Sequence, residues 1–247
     1  MKIRFIPLVL LILMLSAVSA LGQFQGKIVY ESREINEEGS GEHRDTFTMY
    51  VTPDRILLEG KNRYEFIGSI KTEGLLIRLD FKDFVFLTGD SEAMKISQSD
   101  IDMLVKMFGG SSDRSDQAES GIKLKASGET RSIHGYSCEK FVITDDEDPD
   151  DFVEVWMTRD LKINWGMLAE LWEKSGTQFV GDDLPMDLIF IDGYLPLKIE
   201  AYQNGQLREV TETNEISETP ISKAMVQIPS GVKILSFQDY LFQKMGQ

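Results

Sequence analysis

Two histidines and one cysteine restrict the nucleophilic or metal chemistry that this chain can carry. His43 lies in a polar segment, whereas His134 and Cys138 are four residues apart, which in a strand would place both side chains on one face. Gly135 lies between them and indicates a turn that breaks this geometry. We therefore expect a turn histidine and a buried thiol, with a Cys-His catalytic or metal pair as the alternative.

Acidic side chains suggest a second kind of site. Within residues 144–151, Asp146, Asp148 and Asp150 have the alternate spacing of a calcium-binding loop. Asp151 stands where such a loop needs glycine, and Met157 stands where it needs a bidentate glutamate. A solvated hairpin turn is the expected structure, and a weak cation site at the three aspartates is the alternative.

Motifs of common enzymatic chemistry are missing from the sequence. The 41 acidic residues produce many accidental carboxylate pairs, so spacing alone cannot select a catalytic pair. The sequence contains no glycine-rich phosphate loop and no G-x-S-x-G nucleophile elbow. We therefore predict no cofactor and favour a protein that is not an enzyme.

Apolar and aromatic side chains provide the remaining functional signal. They fall in two predicted helices and one predicted strand: Ile101, Met103, Leu104, Met107, Phe108, Trp156, Trp165 and Trp172. In the simpler interpretation they are ordinary core residues. In the sharper one, these adaptable side chains line or cover a cavity that binds an apolar ligand.

The elements that must position these residues are mainly strands. Apolar and polar residues alternate along most of the chain between closely spaced turns, and Asn204-Gly205 is the strongest hairpin signal. Met186 to Ile191 is interpreted as one of the late strands. Helices are predicted at Ser99–Phe108, which is apolar nearly all round, at Asn164–Lys174 and at Phe237–Met245.

The first 22 residues have the order of a secretory signal peptide. Lys2 and Arg4 precede the apolar run Phe5 to Leu15, and small residues follow. Cleavage is expected after Gly22, with Ala20 as the alternative. The apolar run is shorter than the roughly 20 residues that cross a bilayer, so no transmembrane anchor is predicted. Residues 23–247 are expected to form one exported domain, with residues 109–121 as a flexible loop.

Net charge narrows the choice of partners. The formal charge is −15, and loss of Lys2 and Arg4 with the signal peptide makes it −17. Because such a surface repels phosphate, the sequence disfavours nucleic acid and anionic membrane surfaces as partners. Cys138 is the only cysteine, so no intramolecular disulfide can form.

Two short motifs resemble a family of secreted bacterial proteins of unknown function that is related in fold to periplasmic lipoprotein carriers. They are Ile133 to Phe141, IHGYSCEKF, and Gly193 to Lys198, GYLPLK. The resemblance implies a mainly β protein with a few helices, α+β in class. Its strongly curved antiparallel sheet would form an incomplete β-barrel, with helices covering the open face above an apolar space. The carriers begin with a helix, whereas strand patterning here starts at Phe24.

Three functions follow from these observations. The leading hypothesis is a periplasmic or secreted cell-envelope protein that binds or carries a lipid or acyl chain in the half-barrel. Ser99–Phe108 would act as a lid, and the loop at residues 109–121 would allow it to move. The second is an envelope protein-protein interaction module without a ligand, which uses a sheet edge or its acidic face. The third is a hydrolase that uses two carboxylates.

Overall fold

The computed structural model describes residues 23–36, 41–66, 70–89, 91–108, 122–145, 148–170 and 186–245. Within these ranges the chain forms twelve strands: β1 Gly26–Ile35, β2 Gly41–Val51, β3 Arg55–Phe66, β4 Ile70–Arg78, β5 Asp83–Leu87, β6 Glu92–Ser97, β7 Ile122–Ile133, β8 Tyr136–Asp145, β9 Phe152–Thr158, β10 Leu195–Gln203, β11 Gln206–Ser217 and β12 Lys233–Ser236. The helices are α1 Gln98–Phe108, α2 Met186–Phe190 and α3 Phe237–Met245, with a 3-10 turn at Lys223–Val226. Residues 167–170 are also helical.

All twelve strands belong to one open sheet, in the order β12-β6-β5-β4-β3-β2-β1-β11-β10-β9-β8-β7. Neighbours are antiparallel except β12, which pairs with β6 in parallel. The sheet consists of two meanders, β1 to β6 and β7 to β11, joined by the pairing of β1 with β11. The predicted mainly β fold with an antiparallel sheet is thus confirmed.

The face of the sheet that carries the main core, here called the inner face, is organised by strand register. One row of directly opposed apolar residues crosses seven strands: Ile28, Met49, Leu58, Leu75, Phe86, Met94 and Leu235. All seven belong to, or pack against, the same hydrophobic cluster. Because residues two apart on a strand share a face, the next rows on either side also point inward.

The outer face is covered by protein over β3 to β6. Leu57, Leu76 and Val85 are buried there, in a second cluster with Ala93 and Val226. The 3-10 turn brings Val226 to this face, and three apolar residues of the same C-terminal segment pack beside it: Ile221, Ile228 and Val232. Double coverage explains why Leu75, Leu76 and Ile77 are consecutive and all buried, since both faces of β4 need apolar side chains.

Two of the predicted helices are confirmed, with a change in how the first begins. The sequence pairs Ser99 with Asp102 as a capping box, but the structure uses Ser97 and Asp100, whose Oδ2 accepts from the Ser97 backbone N–H at 2.8 Å. The third helix has an equivalent cap, in which the Asp239 N–H donates to Ser236 Oγ at 3.1 Å. Both caps satisfy amide groups that the first helical turn leaves without partners.

The strand interpreted at Met186 to Ile191 is wrong, because this segment forms α2. A short apolar run does not distinguish a strand from a buried helical turn by its pattern alone. Asp187 lies in the first turn, its carbonyl accepts from the Ile191 N–H at 2.9 Å, and Ile189 is buried. Burial of the apolar side against the sheet therefore decides the conformation.

The turn between β8 and β9, here called the acidic turn, ends at Asp150 and Asp151. These two residues contact the Asn204-Gly205 hairpin. Asn204 and Gly205 have φ of 51° and 69°, as a tight turn between antiparallel strands requires. The Asn204 N–H donates to Asp151 Oδ1 at 2.7 Å, and the Gly205 N–H donates to the Asp150 carbonyl at 2.8 Å. These contacts give the acidic turn a structural role.

Leu76→Ala is expected to lower the free energy of unfolding by about 2–5 kcal/mol. Leu76 lies on the outer face of β4, where the C-terminal segment buries it fully. Urea unfolding would measure the change. Leu124→Ala on strand β7 is the matched control, since Leu124 is 44% exposed and its truncation should cost within about 0.5 kcal/mol. Equal losses in the two variants would contradict the double-covered arrangement.

Candidate functional site

A cavity of about 260 Å³ is lined by the inner face of the sheet, by residues 165–168 and by α2. Six consecutive strands contribute its sheet wall: Tyr30, Phe47, Met49, Leu58, Leu75, Leu195, Pro196, Ile199 and Thr211. The rest of the lining, here called the helical wall, comes from residues 165–168 and α2: Trp165, Leu168, Met186, Ile189 and Phe190. Nearly all of these side chains are apolar, so the cavity is suited to hydrocarbon.

The centre of the sheet wall is an aromatic pair. Tyr30 and Phe47 are directly opposed on β1 and β2, and their rings stack with centroids 4.5 Å apart. The Tyr30 hydroxyl donates to the Pro196 carbonyl at 3.1 Å, which ties β1 to the start of β10. Burial raises the pKa of Tyr30 well above its usual range, so the hydroxyl stays neutral.

The helical wall depends on one glycine. Gly166 has φ of +50°, and a Cβ there would lie 2.2 Å from Leu79 Cδ2. The glycine allows the chain to turn tightly beside Leu79, the residue that follows β4. The preceding residue, Trp165, lines the cavity, and its ring meets Phe190 edge-on at 5.4 Å. The sequence offers no signal for this contact, since the two aromatics are 25 positions apart and come from separate elements.

One end of the cavity is polar. Thr211 lines the cavity, and its hydroxyl donates to Ser32 Oγ at 3.0 Å. Ser32 Oγ in turn donates to Glu209 Oε1 at 2.7 Å. These three side chains form a hydrogen-bonded chain, here called the Thr211 chain, that leads from the apolar lining to an exposed carboxylate.

The residues singled out from the sequence are distributed over several places. Trp165 lines the cavity, Ile101 is buried in the main core cluster and Met103 is half-buried on α1. Trp156 is also buried in that cluster, but it does not line the cavity. The side chains of Leu104, Met107 and Phe108, and all of Trp172, lie outside the described residues, as does the loop at 109–121.

Trp156 is buried under charged side chains on the outer face of β8 and β9. It is directly opposite Lys140 and Lys198, which fixes its face by register. The Arg131 guanidinium lies 3.9 Å from its ring centroid, and Lys140 Nζ forms ion pairs with Glu154 at 2.9 Å and Glu129 at 3.1 Å. The hydrogen bond that the Lys140 ammonium donates to the Glu154 carboxylate raises the pKa of Lys140. Trp156 therefore packs beneath a solvated ionic layer rather than beside the cavity.

The histidine and cysteine behave as the simpler interpretation predicts. His134 has φ of 51° in the β7–β8 turn, and its Nε2 lies 2.7 Å from the Thr213 carbonyl. Cys138 is a buried free thiol whose pKa is raised by burial. In the described part of the chain, no three potential metal ligands come together; Asp148 and Asp150 are exposed, and Asp146 lies outside it.

The sequence matches one protein-family model. Residues 88–232, more than half of the chain, match the model of a family described as "Domain of unknown function (DUF4412)". The chain belongs to the DUF4412 family. Both motifs that carry the sequence resemblance lie within the matched range, so the expected membership of an uncharacterised family is confirmed. No curated protein matches the chain.

Several solved structures are similar to this DUF4412 protein. PNGF-II is 18% identical over 89% of this chain and 32% of its own, with a TM-score of 0.44, so the chain spans about a third of that structure. An uncharacterized conserved protein from Thermus thermophilus is 10% identical over 92% and 98%, with a TM-score of 0.41. LprF from Mycobacterium bovis is 12% identical over 92% and 98%, with a TM-score of 0.31.

No helix among the described residues is both long and apolar enough to span a membrane.

Tyr30→Phe is expected to weaken the loss of stability at alkaline pH. The folded state retains the phenolic proton after the unfolded chain, with a tyrosine pKa near 10, has lost it. The contribution of Tyr30 to the free energy of unfolding should therefore be fully present below about pH 10. Above about pH 10 it should decrease by up to about 1.4 kcal/mol per pH unit. Urea unfolding of both proteins between pH 8 and 11 measures this. Identical slopes would show that Tyr30 is not a source of the decline.

Proposed function

We propose that this protein is an exported cell-envelope protein that binds a lipid or another apolar molecule with a single alkyl or acyl chain in its cavity. The supporting observation is the nearly complete apolar lining, built from both halves of the sheet and from the helical wall. Residues 1–22 act as a signal peptide in this proposal, and residues 23–247 form the exported domain. The protein is a binder or carrier rather than an enzyme.

Curvature of the sheet supports a half-barrel. Leu75 on β4 and Ile199 on β10 line the same cavity, although five strand-to-strand steps separate them in the sheet. In a flat sheet those steps would span about 24 Å. A compact cavity of about 260 Å³ touches both only if the strands between them wrap around it. Residues 165–168 and α2 would then lie across the open side.

The volume sets the size of the ligand. A cavity of about 150 Å³ holds benzene, with six carbons, so about 260 Å³ corresponds to roughly ten carbons by the same ratio. At about 0.8 kcal/mol per methylene, burial of ten carbons contributes at most about 8 kcal/mol, which corresponds to micromolar affinity. The site therefore fits one short chain or the end of a longer one, and not a whole two-chain lipid.

A moving lid remains a prediction of the sequence. In this proposal α1 is anchored to the core by Ile101 and closes over an apolar space with its remaining apolar residues. Met107→Asp tests that role directly, because a charge on the apolar side of a lid should weaken ligand binding. Unchanged binding in Met107→Asp would remove the lid from the proposal and leave the cavity itself untouched.

The alternative functions are less well supported by the geometry. Strand β7 is an exposed edge that could pair with a partner strand, but it carries Lys123, Lys125 and a register shift around Gly128, which has φ of +81°. Lysines and irregularities of this kind oppose strand addition. A hydrolase needs carboxylates inside a cleft, whereas the side chains that line this cavity are nearly all apolar.

Ile199→Trp is expected to reduce the affinity for 1-decanol at least tenfold, because a larger ring at this position fills the cavity that Ile199 lines. Isothermal titration calorimetry measures the affinity. Val142→Trp is the matched control: Val142 is directly opposite Glu154, and therefore shares the outer face with Trp156. The control should bind as the unmodified protein does. Failure of the unmodified protein to bind 1-decanol would count against the proposed function.

A further inference from the structure

The inner face changes from apolar to acidic along the strands of the cavity wall. Met49, Leu58 and Leu75 form the first row, and Tyr30 with Phe47 forms the second, two residues further along β1 and β2. Each step of two residues covers about 7 Å. The third row contains Ser32 and Thr211, which are directly opposed on β1 and β11.

The fourth row contains two carboxylates, with His43 opposite Glu34 and Ala201 opposite Glu209 on the next strands. Glu34 and Glu209 are directly opposed across the same strand pair, so their side chains share the inner face with Thr211, and both residues are exposed. Directly opposed like charges destabilise a strand pair. A cation held between the two carboxylates would relieve this repulsion. Glu209 is also oriented toward the cavity by the hydrogen bond from Ser32, the middle member of the Thr211 chain.

The opposite end of the inner face is closed by packing. Beyond the first row in the other direction lies a further row of directly opposed residues, all at most 3% exposed: Val51, Ile56, Ile77, Phe84 and Ile96. A charged head group cannot enter this end without losing its hydration. An amphiphile in the cavity therefore has one favourable direction, with its chain toward Leu75 and its head group toward Glu209.

We propose that the ligand is a single-chain amphiphile with an ammonium head group, bound with its chain in the cavity and its head group at the Thr211 chain and Glu34. This inference rests on the proposed function, since it concerns the same cavity. The Thr211–Ser32–Glu209 hydrogen bonds place an acceptor at the end of the apolar lining, and the second carboxylate adds attraction for a cation. An alkyl carboxylate of the same length meets repulsion at this position.

The test compares three ligands that share a ten-carbon chain: decylammonium, 1-decanol and decanoate. Calorimetric titration at pH 7, at fixed salt and below the micelle concentrations, should give about tenfold tighter binding for decylammonium than for decanoate, with 1-decanol between them. Glu209→Gln should reduce that ratio severalfold. Glu212→Gln should leave it unchanged, because Glu212 lies on the outer face of the same strand and pairs with Arg33 at 3.1 Å.

The control variant separates a local effect from the effect of total charge, since both substitutions remove one negative charge. Equal changes in the two variants would overturn the head-group site. Equal affinity of the unmodified protein for the three ligands would also overturn it while leaving the apolar cavity as the binding site. Absence of binding for all three would overturn the proposed function together with this inference.

Discussion

The pairing of β1 with β11 is the interaction on which the rest of this structure depends. It joins two meanders that are otherwise separate, and it runs from Lys27 opposite Ser217 to Glu34 opposite Glu209. The cavity wall takes Tyr30 from β1 and Thr211 from β11, so both meanders must be paired before the cavity exists. Strands at opposite ends of the chain must meet, which makes this step slow compared with the local hairpins.

A shift in register refines this pairing at the cavity. Between Val29 and Tyr30 the partner on β11 moves from Glu215 to Thr213, which inserts one additional residue on β11. Such an irregularity bends a strand and increases its twist. A second shift lies between Pro196 and Lys198 on β10, near the point where the Tyr30 hydroxyl binds the Pro196 carbonyl. Both shifts lie in strands that line the cavity.

The sequence predicts elements well and their assembly poorly. Alternation and turn residues are local signals, so most strands, the Asn204-Gly205 turn and two helices follow from them. The cavity does not, because Phe47 and Ile199 come together only through the pairing of β1 with β11. Trp165 and Trp156 are equally apolar in the sequence, yet register and Gly166 place them on opposite faces. The face on which each tryptophan lies depends on long-range strand pairing, which composition does not predict.

An apolar cavity in the main core has a stability cost that the rest of the sheet must offset. Side chains that line a cavity make fewer packing contacts than side chains in a filled core, so they gain less dispersion energy on folding. The outer face of β3 to β6 offsets part of this cost, because Leu76 and Val85 are buried there with Val226. None of the residues in that outer cluster lines the cavity, so its contribution to stability does not depend on the cavity. Because ligand binding adds stability by mass action, occupancy of the cavity should return part of that cost.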